Sequence, residues 1–139
     1  DVGPTATPVP LPEVVEPCYT VTDLNPIEDA YAAFEGRYTL PAVIAENAPG
    51  EALSDLQVMR VSGDAINIRA VVVDLRERTF PLCAEPARQA LLAYMDAALL
   101  PYETAMRGET EQALAEMQAA DALRQAYLDA LAAQSPPAP

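Results

Sequence analysis

The sequence predicts an all-α domain: an up-down bundle of four helices stapled by one disulfide bond. Apolar residues recur at spacings of three and four through most of residues 25–133, and proline or glycine interrupts these runs where helices would end. The two cysteines, Cys18 and Cys83, occupy positions that such a bundle brings together. We assign residues 18–134 to this domain, between a proline-rich leader over residues 1–17 and a proline-rich tail over 135–139.

The first helical segment begins near Asn25. Asn25 is a suitable cap, Pro26 suits the first turn, and Glu28 stands three positions after Asn25, which is the pattern of a capping box. The apolar stripe that follows comprises Ile27, Ala30, Tyr31, Phe34, Tyr38, Ala42 and Ala45. Because Gly36 and Pro41 interrupt it, the segment forms either one helix or two short ones.

Residues 51–80 allow two interpretations. The run INIRAVVVDL is rich in β-branched residues and Ser62-Gly63-Asp64 suits a turn, which predicts an α+β fold with a hairpin within residues 55–75. The order of residues favours a helix, because polar residues recur at spacings of three and four on one face and apolar residues do so on the opposite face. The polar line is Arg60, Asp64, Asn67, Asp74 and Arg78, and the apolar line is Val58, Val61, Ala65, Ile68, Val72 and Leu75. We therefore expect residues 52–80 to be mainly helical, with Arg60–Asp64 and Asp74–Arg78 as ion pairs along the helix.

The last two helices have clear boundaries. The third starts near Ala84 with Pro86 in its first turn, and Gly108 is a natural C-cap. The fourth runs from about Glu109 to Ala133. Its apolar stripe is Leu114, Met117, Ala120, Leu123, Tyr127 and Leu131.

The cysteines test this topology independently. Cys18 precedes the first helix and Cys83 lies between the second and third, so an up-down bundle places both at the same end. We expect a Cys18–Cys83 disulfide, with two unrelated buried thiols as the alternative. A disulfide and a Thr/Pro-rich leader are typical of a secreted or cell-envelope protein.

Composition excludes several function classes. The chain has 21 acidic residues against 8 arginines, a net charge of −13, which disfavours binding to nucleic acid. The absence of His and Lys excludes Ser-His-Asp and Ser-Lys hydrolases, Schiff-base chemistry and a Glu-x-x-His diiron site. We expect no enzymatic activity, cofactor or metal site, and membrane attachment only through an anchor that is not present in this chain.

Four residues are candidate contacts for a ligand or a partner. Arg69 and Arg76 either pair with carboxylates on a neighbouring helix or bind an anionic ligand. Tyr94 and Tyr102 lie on the apolar stripe of the third helix, where they either pack in the core or line a pocket near Pro101.

The segment FPLCAEPARQALLAYMDAALLPYETAMRGE, residues 80–109, precedes a second alanine-rich helix. Together they resemble uncharacterised secreted or lipoprotein-like helical domains of bacteria, over about residues 50–133. Those domains start a helix with a direct Pro-Cys pair, whereas Leu82 separates Pro81 from Cys83 here. The resemblance implies a helical domain of the cell envelope and carries over no catalytic residue.

These observations predict a non-enzymatic module for protein–protein interaction or self-assembly, in which the proline-rich leader takes part. The alternative is a helical domain that binds a small ligand in the bundle interior.

Overall fold

A computed structural model describes residues 15–137, and the secondary structure within that range is entirely helical. The helices are α1 Asn25–Glu35, α2 Leu40–Ala45, α3 Asp55–Glu77, α4 Glu85–Met106 and α5 Thr110–Gln134, with single 3-10 turns at Val21–Asp23 and Leu82–Ala84. The all-α prediction is confirmed, and α3 shows that the hairpin alternative was wrong. Residues 1–14 of the predicted leader and 138–139 of the predicted tail lie outside the described residues.

The chain follows the predicted up-down-up-down course. α1 and α2 together form the first arm, and the order of contacts between Thr39 and Asp64 and then between Glu46 and Arg60 shows that this arm runs antiparallel to α3. α4 returns beside α3, and α5 reverses again after the short turn at residues 107–109.

The break between α1 and α2 is held by Tyr102 of α4. Its buried hydroxyl accepts hydrogen bonds from the backbone N–H groups of Thr39 (2.9 Å) and Leu40 (3.3 Å), and it donates one to the carbonyl of Arg37 (2.9 Å). The backbone N–H of Thr39 also donates to the carbonyl of Arg37 (3.0 Å), so the Tyr102 hydroxyl reinforces this turn and supplies the partner that the N–H of Leu40 lacks.

The capping box predicted at Asn25 was wrong. Asn25 is already helical, Leu24 is the cap residue, and no side chain caps α1. A capping box is instead present at α3, where the Ser54 hydroxyl accepts from the backbone of Gln57 (3.2 Å) and the Gln57 side chain accepts from the backbone of Ser54 (2.9 Å). Gln57 also exchanges two 2.9 Å hydrogen bonds with the side-chain amide of Asn47, which fixes the connection between α2 and α3.

The core is built around α4, half of whose residues are buried. Its neighbour α5 contributes fewer buried residues, and Ala113, Ala120, Tyr127 and Gln134 recur among them at seven-residue intervals. The small residues Ala113 and Ala120 let the first half of α5 approach α4 closely, and the fully buried ring of Tyr127 packs further along the same face. Two members of the predicted α5 stripe lie outside this contact: Leu114 and Leu123 are 40% and 37% exposed.

The disulfide between Cys18 and Cys83 is present, with a Cα–Cα distance of 5.2 Å. The backbone N–H of Cys18 also donates to the carbonyl of Gln134 (3.0 Å), so the start and the end of the domain lie side by side. We call this end of the bundle the disulfide pole. Nearby, the buried side chain of Arg88 donates to the carbonyls of Leu75 and Arg76 and so satisfies the C-terminus of α3.

Candidate interaction surface

The helix α3 carries apolar residues on two opposite sides. Its inner face supplies the buried residues Val61, Ala65, Ile68, Val72 and Leu75. Its outer face carries a second row, which we call the outer stripe: Leu56, Met59, Gly63, Ile66, Ala70 and Val73. All six residues are exposed, and the four large side chains retain 74%, 70%, 61% and 48% of their accessible surface in that order.

The spacing of the outer stripe is that of a coiled-coil seam. Its members alternate at intervals of three and four residues, so they stay on one line along the helix. From Leu56 to Val73 the line extends for about 26 Å at the rise of an α-helix. Single exposed apolar residues are normal on a protein surface, but a continuous row is typical of a surface that contacts another molecule.

Gly63, in the middle of the outer stripe, has no role in the packing of the bundle. A Cβ atom at this position would meet no heavy atom within 4 Å. Glycine inside a helix is about 1 kcal/mol less favourable than alanine, so the isolated domain gains nothing from it. Together with Ala70 one heptad later, Gly63 leaves room for another backbone to approach α3 closely.

Two ion pairs border the outer stripe on the α4 side. Arg69 pairs with Glu103 at 3.0 Å, and Arg76 pairs with Asp96 at 2.8 Å, all four side chains being about half exposed. Leu100, which is 47% exposed, lies between the two carboxylates along α4. Of the two roles predicted for Arg69 and Arg76, the structure shows the pairing with a neighbouring helix; binding of an anionic ligand stays a prediction.

The opposite border lies beside α2. Arg60 pairs with Glu46 at 3.1 Å rather than with Asp64, which accepts from the Thr39 hydroxyl instead, so the predicted Arg60–Asp64 pair was wrong. Hydrogen bonds from Arg60 and then from Gln57 lower the pKa of Glu46 below its ordinary value.

The segment that carries the outer stripe, residues 55–78, has no net charge although the chain is strongly acidic. Residues 55–78 contain four Asp or Glu and four Arg, so they carry no net charge, whereas the whole chain carries −13. Half of the eight arginines therefore lie in this one region. A second acidic surface would meet the least long-range repulsion here.

Tyr94 and Tyr102 lie in the core and not at the outer stripe. Tyr94 packs edge-on against Phe34 with ring centroids 5.2 Å apart, and Tyr102 is fully buried. Burial raises the pKa of both tyrosines above the ordinary value. Because the rings of Tyr94 and Tyr102 are packed in the core, they line no pocket for a small ligand in the described part of the chain. The alternative function of small-ligand binding therefore depends on an open cleft nearby. That cleft, of about 510 Å³, is lined by Tyr38, Pro41, Leu114, Met117, Gln118 and Asp121.

A second open cleft, of about 470 Å³, lies at the disulfide pole beside the exposed side chains of Tyr19 and Leu82. Here Cys18, Cys83 and Asp23 place potential metal ligands within 4.8 Å of one another. The two sulfur atoms are bonded to each other, and a metal binds the thiolate form of cysteine. The two cysteines therefore form a covalent cross-link beside Asp23, and in this bonded form they offer no thiolate to a metal ion.

The fold and this surface define a class: a disulfide-linked helical bundle in which the outer stripe of α3 is exposed among the described residues. Comparisons of the chain with protein-family models, curated proteins and solved structures found no match. Among the helices of the described residues, none combines the length and the apolar character that crossing a membrane requires.

The outer stripe was not among the residues singled out from the sequence, although its signal was there. The spacing of Leu56, Met59, Ile66 and Val73 is as regular as that of the inner line. Spacing alone does not say which of two apolar lines the rest of the chain covers.

Proposed function

We propose that the protein is a non-enzymatic module for protein–protein interaction that works outside the cytoplasm, and that it binds through the outer stripe of α3. The observation that carries this proposal is the row of six exposed residues at coiled-coil spacing. Such a row is the binding element of helices that pack against a groove or against another helix.

The borders of the stripe suit this role. Apolar residues form its centre and ion-paired side chains flank it, which is the usual anatomy of a protein interface. Paired charges at a rim contribute mainly to orientation and to the rate of association, so the apolar row supplies most of the affinity.

The covalent structure supports a location outside the cytoplasm, because disulfides persist in oxidising compartments. The hydrogen bond between Cys18 and Gln134 places both ends of the domain at the disulfide pole. A proline-rich leader and tail continuing from this pole would add contacts or hold the domain at a distance from its attachment.

The test is a photo-crosslinking amino acid at Ile66, with Leu123 on α5 as the control position, in the cell that makes the protein. Both are exposed large apolar residues, but only Ile66 belongs to the outer stripe. We expect an adduct with a polypeptide from position 66 and not from position 123. The absence of any polypeptide adduct at position 66, or equal adducts at both positions, would contradict the proposal.

A further inference from the structure

We propose that the partner of the outer stripe is the outer stripe of a second copy of this chain, packed antiparallel across a two-fold axis. The inference rests on the proposed function and names its partner. It is drawn from the order of large and small residues along the stripe, from the charges beside it and from the neutrality of residues 55–78.

The stripe is complementary to itself when reversed. In one antiparallel alignment every member of the stripe faces a member of the second copy's stripe. The three facing pairs are Leu56 with Val73, Met59 with Ala70, and Gly63 with Ile66. The two-fold axis produces each pair twice. All six members are then used. Met59 and Ile66 each face a small residue, so large side chains fill the space that Ala70 and Gly63 leave.

The same alignment is favourable for the flanking charges. It places Asp55 opposite Arg76 of the second copy, and by symmetry Arg76 opposite Asp55. It also sets Arg60 opposite Asn67 and Arg69 opposite Ser62, so no like charges of the two α3 helices face each other.

A parallel alignment also satisfies the flanking charges, but it packs less well. It sets Gly63 against Gly63 and Ile66 against Ile66, so gaps alternate with crowded layers. The antiparallel arrangement is therefore favoured, because it sets large side chains against small ones. Its charge pair between Asp55 and Arg76 is absent from the parallel one, which makes the two separable by experiment.

The contact is small, because it consists of one helix pair about 26 Å long. Interfaces of this size are at the weak end of specific association. We therefore expect a reversible dimer that forms at micromolar or higher concentration.

Sedimentation velocity of the full, disulfide-bonded chain between about 5 and about 500 µM tests the inference. We expect a concentration-dependent shift from monomer to dimer. Ile66→Glu should weaken the dimer at least about ten-fold by burying an unpaired charge. The matched control, Leu123→Glu, alters an exposed leucine of α5 and should leave the dimer unchanged.

The substitution Gly63→Leu distinguishes an effect on dimerisation from an effect on the stability of the fold. The new side chain points into open space in the single chain and suits a helix better than glycine, so the melting temperature of the dilute protein should stay the same or rise. The same side chain occupies the place of Ile66 of the second copy, so dimerisation should weaken at least about ten-fold.

A charge exchange tests the orientation. Asp55→Arg alone and Arg76→Asp alone should each weaken the dimer, because each sets like charges opposite one another. An equimolar mixture of the two variants should dimerise about as well as the unaltered protein, since the mixed pair restores both attractions. Circular dichroism of each variant checks that it is folded.

Three results would overturn the inference: an unaltered protein that stays monomeric over the whole range, a dimer that persists in Ile66→Glu, or a mixture no stronger than its components. None of these decides the proposed function, which fails only in the crosslinking experiment. An adduct between position 66 and a different polypeptide would support the function and contradict the second copy as its partner.

Discussion

The helices α3 and α4 are nearly equal in length, yet they take different places in the molecule. α4 buries 11 of its 22 residues, whereas α3 buries 6 of its 23. α4 packs against α1, α3 and α5, while the outer stripe of α3 is exposed to solvent. An apolar residue at helical spacing need not belong to the core, because residues 15–137 cover only one of the two apolar faces of α3.

Because of this difference, substitutions in the two helices should fall into two classes, those that affect stability and those that affect association. Changes in α4 and on the inner face of α3 remove buried contacts and should lower the free energy of unfolding. Changes on the outer stripe should alter association and leave the fold intact. The predictions below test this division, beginning with the largest effect.

The largest effect expected is alkaline unfolding, because four tyrosines have a raised pKa in the folded chain. Burial, followed by the nearby Tyr102 and Asp121, raises the pKa of Tyr38 to about 12. Burial is also the main cause of the raised pKa of Tyr94, Tyr102 and Tyr127. Because the unfolded chain releases these protons near pH 10 and the folded chain does not, stability is full below about pH 10 and is lost as the pH rises toward about 12.

Helical circular dichroism and the ultraviolet absorbance of tyrosinate, recorded on the same samples, check this prediction. The part of the tyrosinate absorbance that comes from the buried tyrosines should change cooperatively and together with the helical signal, whereas the part from the exposed Tyr19 does not depend on unfolding. Complete ionisation of all tyrosines with no loss of helix would show that the rings are not buried as described.

Removal of the disulfide comes next. Replacing Cys18 and Cys83 together by serine opens a cross-link between residues 65 positions apart and should lower the free energy of unfolding by about 4 kcal/mol in the chain-entropy model. Urea unfolding of the variant and of the unaltered protein measures the difference. A loss below about 1 kcal/mol would mean that the pole is already held by its other contacts.

A smaller loss is expected from Tyr102→Phe. It leaves the backbone N–H of Leu40 without a partner, whereas Thr39 keeps its 3.0 Å hydrogen bond to the carbonyl of Arg37, and it should lower the free energy of unfolding by about 1–3 kcal/mol. Tyr127→Phe is the matched control. The Tyr127 hydroxyl is buried with no hydrogen-bond partner among the described residues, so its removal should be neutral or stabilising. Equal losses in thermal or urea unfolding would refute the capping role of Tyr102.

The smallest effect on stability is expected from deletion of residues 1–17. The described helices begin at Asn25, so helical circular dichroism and the melting temperature should be nearly unchanged. Association with the partner should weaken if the leader contributes contacts, and binding of the truncated and complete chains measures this. Normal association of the truncated chain would limit the leader to a tether.

The sequence predicted the bundle well because its signals are local and mutually consistent. Helical spacing identified α3 in spite of its β-branched residues, and the break between α1 and α2 followed from Gly36 and Pro41. The disulfide followed from the order of the helices.

Other features depended on contacts that no local pattern contains. Tyr102 and Arg88 satisfy backbone groups of other helices, which cannot be read from their own neighbours in sequence. Asn25 became the first residue of α1 because the turn at Val21–Asp23 leads directly into the helix. Leu114 and Leu123 are exposed because α5 packs through the face that carries Ala113, Ala120 and Tyr127.

The most direct test of the division between fold and association compares two isoleucines of α3. Ile68 is fully buried on the inner face, and Ile66, two residues away on the outer stripe, is 61% exposed. Each is replaced by alanine, and urea unfolding is measured at a concentration low enough to keep the chain monomeric. Ile68→Ala should lower the free energy of unfolding by about 2–5 kcal/mol, and Ile66→Ala by less than about 0.5 kcal/mol. Comparable losses at the two positions would contradict the claim that the outer stripe serves association and not the fold.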